Sequence, residues 1–190
     1  AQKEGYTFFM EKEIYEQGAV VSETIMGRVK NHKVTLENLD DEYLKGIDDV
    51  VLCACGTSYH AALVASYLFE RLAKVRTKVE VASEFRYRKP YLNKNSLFIV
   101  ISQSGETADT LEALRIAKEA GLKTLAICNV DNSSIVRLAD NTLLTRAGIE
   151  KGVASTKAFA TQIIVLWMLV LQMASAKGSI SKKELDHEIK

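Results

Sequence analysis

Residues 96–121 read SLFIVISQSGETADTLEALRIAKEAG, and the change of texture inside this stretch decides the fold. Ser96 to Ile101 is a short apolar run without alternation, the pattern of a strand buried on both faces. Ser102-Gln103-Ser104-Gly105-Glu106-Thr107 follows at once, all polar or small. Leu111, Leu114 and Ala117 then recur at helical spacing until Gly121, a residue that ends helices in the left-handed conformation. A buried strand that runs through a hydroxyl-rich turn into a helix is half of a βαβ unit.

The same alternation continues on both sides. Val50 to Cys55 reads as a strand with Gly56 behind it, followed by a helix from about Ser58 to Ala73. Lys78 to Ala82, Lys123 to Cys128 and Thr142 to Thr145 read as further strands. Ser133 to Ala139 is a short helix, 147–155 a glycine-containing loop, and 156–175 a long helix. Nearly all-apolar strands separated by helices predict an α/β fold, a doubly wound five-stranded parallel sheet covered on both faces. Upstream, residues 8–29 place Met10, Ile14, Val21 and Ile25 on one stripe, which predicts an N-terminal helical arm weakened near Gly18. Residues 31–49 are polar and suggest a short helix and connections. Ser181-Lys182-Lys183-Glu184 is a capping box that opens a last helix. The expected organisation is an arm over 1–48, the α/β domain over 49–176, and a connection over 177–190.

Composition bounds the rest. The chain has 190 residues, 47% hydrophobic and 26% charged, enough for one domain with a real core. A net charge of +1 provides no basic footprint for nucleic acid. Cys53, Cys55 and Cys128 sit in apolar runs without metal-ligand spacing, so they read as buried reduced thiols, and no metal or cofactor is expected. The polar start, Ala1 to Gly5, does not read as a signal sequence, so none is expected, and the apolar run from Ile163 to Leu171 is too short to span a bilayer. The expectation is a cytoplasmic protein, with no membrane partner, in which Asn132-Ser133-Ser134 is a chance glycosylation sequon.

In doubly wound sheets ligands bind beyond the carboxyl ends of the strands. That rule nominates Gly56-Thr57-Ser58, Ser102 to Thr107, and Gly152 to Thr156. The second segment offers three hydroxyls (Ser102, Ser104, Thr107), the Gln103 carboxamide and Gly105 at a helix start. Unpaired N–H groups and the positive end of a helix dipole make such a place an anion site, suited to a phosphomonoester. Gly105 would let the backbone come close to the ligand. The competing reading is that Ser104 or Thr107 only caps the helix, but a cap needs one acceptor and not four polar groups. Glu106 must then point away from the phosphate. Gly56-Thr57-Ser58 repeats the theme, and the chain has neither a P-loop nor a dinucleotide fingerprint. Ser155 or Thr156 caps the long helix on the plain reading. Lys157 either neutralises a ligand or lies solvated. His60 reads as packed or capping, because no Ser–His–carboxylate set can be assembled by spacing. The chain therefore has a binding site without an evident acid or base.

Four segments carry a family resemblance: Cys55 to Ala61, Ser83 to Arg88, Ser102 to Leu111, and Gly152 to Phe159. They closely resemble the first sugar-isomerase (SIS) module of the glutamine–fructose-6-phosphate aminotransferases, the glucosamine-6-phosphate synthases, and Phe9 to Gln17 resembles the helix before it. Lys151 replaces a usual isoleucine and Gly18 a common proline. The resemblance implies a flavodoxin-like SIS sandwich that takes a hexose 6-phosphate, with Ser58, Ser102, Gln103, Ser104 and Thr107 on the phosphate. It implies Thr57 and the Val153 backbone toward the sugar, with Gly56 and Gly105 supporting. It also implies a homodimer and, as partners, a second SIS module and a glutaminase domain. Those parts would supply the catalytic groups that this stretch lacks. Two alternatives stay open: a stand-alone SIS sugar-phosphate sensor, or an isomerase of another sugar phosphate whose base reaches the pocket from a symmetry mate, with His60 the candidate.

Overall fold

The computed structural model describes residues 2–190. Five parallel strands form the centre: β3 (Asp49–Ala54), β4 (Arg76–Val81), β5 (Ser96–Ser102), β6 (Lys123–Cys128) and β7 (Asn141–Leu144). Their order across the sheet is β4-β3-β5-β6-β7. The chain winds outward from β3 to β4, returns to the other side of β3 for β5, and then proceeds to β6 and β7. The order reverses between β3 and β5, and a cleft opens at such a reversal because the flanking helices leave the sheet on opposite faces. Register aligns the exits: Ala54 pairs with Val81 and Ile101, and Ser102 with Cys128.

The strands are apolar throughout because both faces are covered. Val50, Leu52, Ala54, Leu97, Ile99, Ile101, Leu125, Ile127 and Leu143 point into one core. Helix α3 (Gly56–Leu68), the π-helical turn Phe69–Ala73 and helix α7 (Lys157–Lys177) close it. Val51, Cys53, Phe98, Val100 and Ala126 point into the other, against α4 (Ala82–Phe85), α5 (Ala108–Glu119) and α6 (Ser134–Leu138). Alternation is present in the structure but hidden in the sequence, since both sets are apolar. The first strand of the expected set begins one residue earlier than its apolar run, and β4 begins at Arg76. That strand is a sheet edge whose Arg76, Lys78 and Glu80 give it a charged border, a composition that masks its start.

Helix α7 is long and apolar enough to cross a bilayer, yet two thirds of its apolar window is buried inside this protein. Gln172 explains part of the fit. It is buried, accepts from Leu36 N at 2.9 Å and donates to Leu39 O at 3.0 Å, so it satisfies a strand-less segment crossing the helix. α7 ends at Gly178, whose backbone is in the left-handed region that favours glycine. The capping box of Ser181 and Glu184 opens α8 (Lys182–Ile189).

Two expectations for the N-terminal part are corrected. The arm is helix α1 (Phe9–Ile25), unbroken through Gly18. Of the expected stripe, Met10 and Ile14 are exposed, Val21 is half-buried and Ile25 packs against the core, while Lys12, Glu13 and Thr24 are buried. The arm packs along helix α7, with Ile25 against the main core, and its polar side chains reach loop backbone beside it. Thr24 Oγ1 donates to Thr145 O at 2.7 Å, and buried Arg28 donates to Leu144 O while pairing with Glu37. Within the polar stretch, helix α2 (Asp41–Lys45) is preceded by a small antiparallel ribbon, β1 (Val29–Lys30) and β2 (Lys33–Val34). Asn31 and His32 both have positive φ, which marks the two-residue turn that matches strand twist.

Candidate functional site

β3 and β5 deliver their exits to the same cleft. Cys55, Gly56, Thr57 and Ser58 come from the first, Ser102, Gln103, Ser104, Thr107 and Thr110 from the second, and Val153, Ala154 and Ser155 from the loop before α7. Together they line a pocket of about 440 Å³. None of these residues carries a formal charge at neutral pH. The pocket's field therefore comes from backbone N–H groups and helix ends.

The two helices that begin here are unlike α2, α6 and α8. Those three are capped by the side chains of Asp40, Ser133 and Ser181. The N-cap residues of α3 and α5, Cys55 and Thr107, make no side-chain cap. Two helix N-termini thus aim unsatisfied donors into one cleft. The plain capping reading of Thr107 is thereby set aside: its Oγ1 lies 3.1 Å from Ser102 Oγ instead. Ser102 is buried and its Oγ accepts from Gly105 N at 3.0 Å, while Ser104 Oγ accepts from Glu106 N at 3.2 Å. The hydroxyls hold the turn in shape while facing the pocket.

Glu106 points away from the pocket. Its Oε1 accepts from Ser134 N at 2.8 Å, at the start of α6. Hydrogen bonding from Ser134 keeps this carboxyl below its ordinary pKa, so it stays charged and serves the neighbouring helix. Gly105 has a different role from the one the sequence suggested. With φ at +69°, a Cβ there would sit 2.0 Å from Ser133 Oγ and 2.8 Å from Cys128 Sγ. The close approach that requires glycine is to protein beneath the turn.

The third segment corrects two further expectations. Neither Ser155 nor Thr156 caps α7. The Glu150 carboxylate does so, accepting from Thr156 N at 2.9 Å, Ala158 N at 3.1 Å and Ser155 Oγ at 3.2 Å. Lys157 is neither solvated nor part of the pocket lining. It is 4% exposed and donates to Glu16 of the arm at 2.7 Å. His60 is exposed, edge-on to Tyr59, and does not line the pocket. Cys53 and Cys128 are buried as expected, with burial pushing the Cys53 thiol upward and out of reactivity. Cys55 departs from the expectation: it is half-buried and lines the pocket wall.

Thr110 is a site residue that the sequence reading passed over. It is 1% exposed, lines the pocket, and its Oγ1 has no hydrogen-bond partner. The signal was its spacing, three residues after Thr107 and so on the same helix face.

Residues 43–172 match the SIS domain family. The chain is 67% identical over 94% of its length to a glutamine–fructose-6-phosphate aminotransferase (isomerizing) of Campylobacter jejuni. It is 51% identical over 95% of its length to the enzyme of that name from Escherichia coli. In each case it spans about 30% of the relative. Among solved structures it resembles the C-terminal domain of glucosamine-fructose-6-phosphate aminotransferase from Francisella tularensis. That match has TM-score 0.92 at 46% identity and covers 97% of this chain and 52% of the other.

Proposed function

The chain belongs to the SIS domain family, and we propose that its pocket is the phosphate-binding half of the sugar site of a glutamine–fructose-6-phosphate aminotransferase. The observation that carries this is the convergence of two uncapped helix N-termini on an uncharged, hydroxyl-lined cleft. A dianionic phosphate ester is the ligand such a cleft favours. It gains orphan N–H donors from α3 and α5, and hydroxyl donors from Ser58, Ser102, Ser104 and Thr107, with the Gln103 amide beside them. Thr57 and the Val153 backbone stand at the rim, where the sugar would extend.

In the whole enzyme this reading gives fructose 6-phosphate and glutamine as substrates and glucosamine 6-phosphate and glutamate as products. The remote phosphate would then anchor the open-chain sugar while amination and the proton shift proceed at the other end. The proton-transfer groups would come from the second SIS module and ammonia from a glutaminase domain. The division at 1–48, 49–176 and 177–190, assembly as a homodimer and a cytoplasmic setting belong to the same reading. High identity to enzymes named as aminotransferases favours it over a stand-alone sensor and over an isomerase of another sugar phosphate, and His60 does not line this chain's own pocket.

Titration of the 190-residue chain with fructose 6-phosphate, glucosamine 6-phosphate and free fructose tests the reading. Both phosphorylated sugars are expected to bind and fructose is not. Ser104→Ala removes one hydrogen bond to a charged group and should weaken binding by about 1.5–3 kcal/mol. Equal binding of free fructose would sink the phosphate cradle.

A further inference from the structure

We propose that Glu13, on the N-terminal arm, is a positioning residue of the pocket: it sets where the Val153 rim stands. The inference rests on the sugar-phosphate reading of that pocket.

Glu13 lies outside the stretch that matches the SIS family and is 139 residues from Gly152 in sequence. Its side chain is 3% exposed. A carboxylate so deeply buried requires partners, and the partners it has are backbone amides of the pocket loop. Oε1 accepts from Lys151 N at 2.5 Å, and Oε2 accepts from Gly152 N at 3.0 Å. The fit is tight, since a Cβ on Gly152 would stand 2.6 Å from Glu13 Oε2.

The loop is fastened again on its other side by Glu150, which holds the amides of Thr156 and Ala158. Between the fastened residues Gly152 and Thr156, Val153 and Ala154 are exposed, and both line the pocket. The height of that short tip follows from its two fastenings. The phosphate groups are independent of both, because Ser58 and Ser102 to Thr107 hang from the ends of β3 and β5. Loss of Glu13 should therefore loosen contacts to the sugar and leave contacts to the phosphate in place. Lys157–Glu16, one turn further along the arm, keeps α1 docked when Glu13 is changed.

The experiment compares wild type, Glu13→Gln and Glu13→Ala in the 190-residue chain, with inorganic phosphate and fructose 6-phosphate as probes and backbone amide NMR as the structural readout. Glu13→Ala is expected to weaken fructose 6-phosphate about tenfold, a free-energy change of about 1.4 kcal/mol, with phosphate affinity unchanged. Glu13→Gln keeps one acceptor and the side chain's shape, so it folds if the alanine variant does not, and it should lose less. Amide signals of Lys151 to Ala154 should move while those of Ser102 to Thr107 stay. Equal losses for both probes would make Glu13 a general structural residue. Unchanged fructose 6-phosphate affinity alongside moved loop signals would overturn the proposal too. A wild-type chain that binds neither probe refutes the cradle reading itself, a result visible before any variant is compared.

Discussion

Gly105 and Thr110 show how single positions shape the pocket from opposite sides. Gly105 sits above Ser133 and Cys128 at a backbone angle that L side chains rarely adopt. Gly105→Ala should cost about 1–3 kcal/mol through overpacking, with the left-handed strain added to it. Thermal or urea unfolding measures the loss, and a variant as stable as wild type would contradict the packing account. Thr110 lies in the pocket wall with a buried hydroxyl that has no hydrogen-bond partner in the protein. Neither role is visible from residue type. Glycine in a turn suggests a ligand's approach, and threonine in the first turn of a helix suggests a cap.

At the scale of elements, helix starts divide into those closed by their own side chains and those left open. α7 is closed by a residue seven positions before it, Glu150, whose carboxylate does the work of an N-cap. Glu150→Ala leaves Thr156 and Ala158 amides without that acceptor and removes a negative charge from the helix N-terminus. The expected cost is about 1–2 kcal/mol in denaturant midpoint experiments with unchanged slope. Faster amide exchange confined to the start of α7 would locate the effect. A variant in which Ser155 or Thr156 swings in to cap, with no loss of stability, would show that the expected local cap was latent.

For the whole molecule, the question is what binds arm to sheet. Lys157, nearly inaccessible, donates to Glu16, and Glu13 holds the loop, so charged groups fasten α1 to the module alongside its packing on α7. The hydrogen bond from Lys157 lowers the Glu16 pKa, against the opposing effect of burial. A carboxyl held below its ordinary value contributes stability that is complete above the ordinary range, about pH 4.3, and is lost as pH falls through the lowered folded value. Acidification should therefore release the arm before the sheet unfolds. Amide exchange in Phe9–Ile25 that outruns exchange in β5 as pH drops below about 4 would show it; simultaneous loss would show that arm and sheet form one cooperative unit.

The strands, the long helices, the parallel sheet and the three loop segments at its carboxyl edge were all legible in the chain. Each is written in local pattern: apolar runs such as Ser96 to Ile101, helical spacing such as Leu111 to Ala117, and hydroxyls clustered at strand exits. The resemblance of Ser102 to Leu111 then narrowed an anion site to a sugar-phosphate one. Other features rest on partners far apart in sequence, and no local pattern records those. The exposed face of α1, the Lys157–Glu16 pair and the Glu13 clasp on Lys151 and Gly152 appear only when residues more than a hundred positions apart meet. Periodicity assigned α1 an apolar inner face because it measures hydrophobicity and not the surface a helix meets. Part of that surface is loop backbone, whose unpaired amides call for carboxylates, and only the folded chain decides which carboxylates reach them.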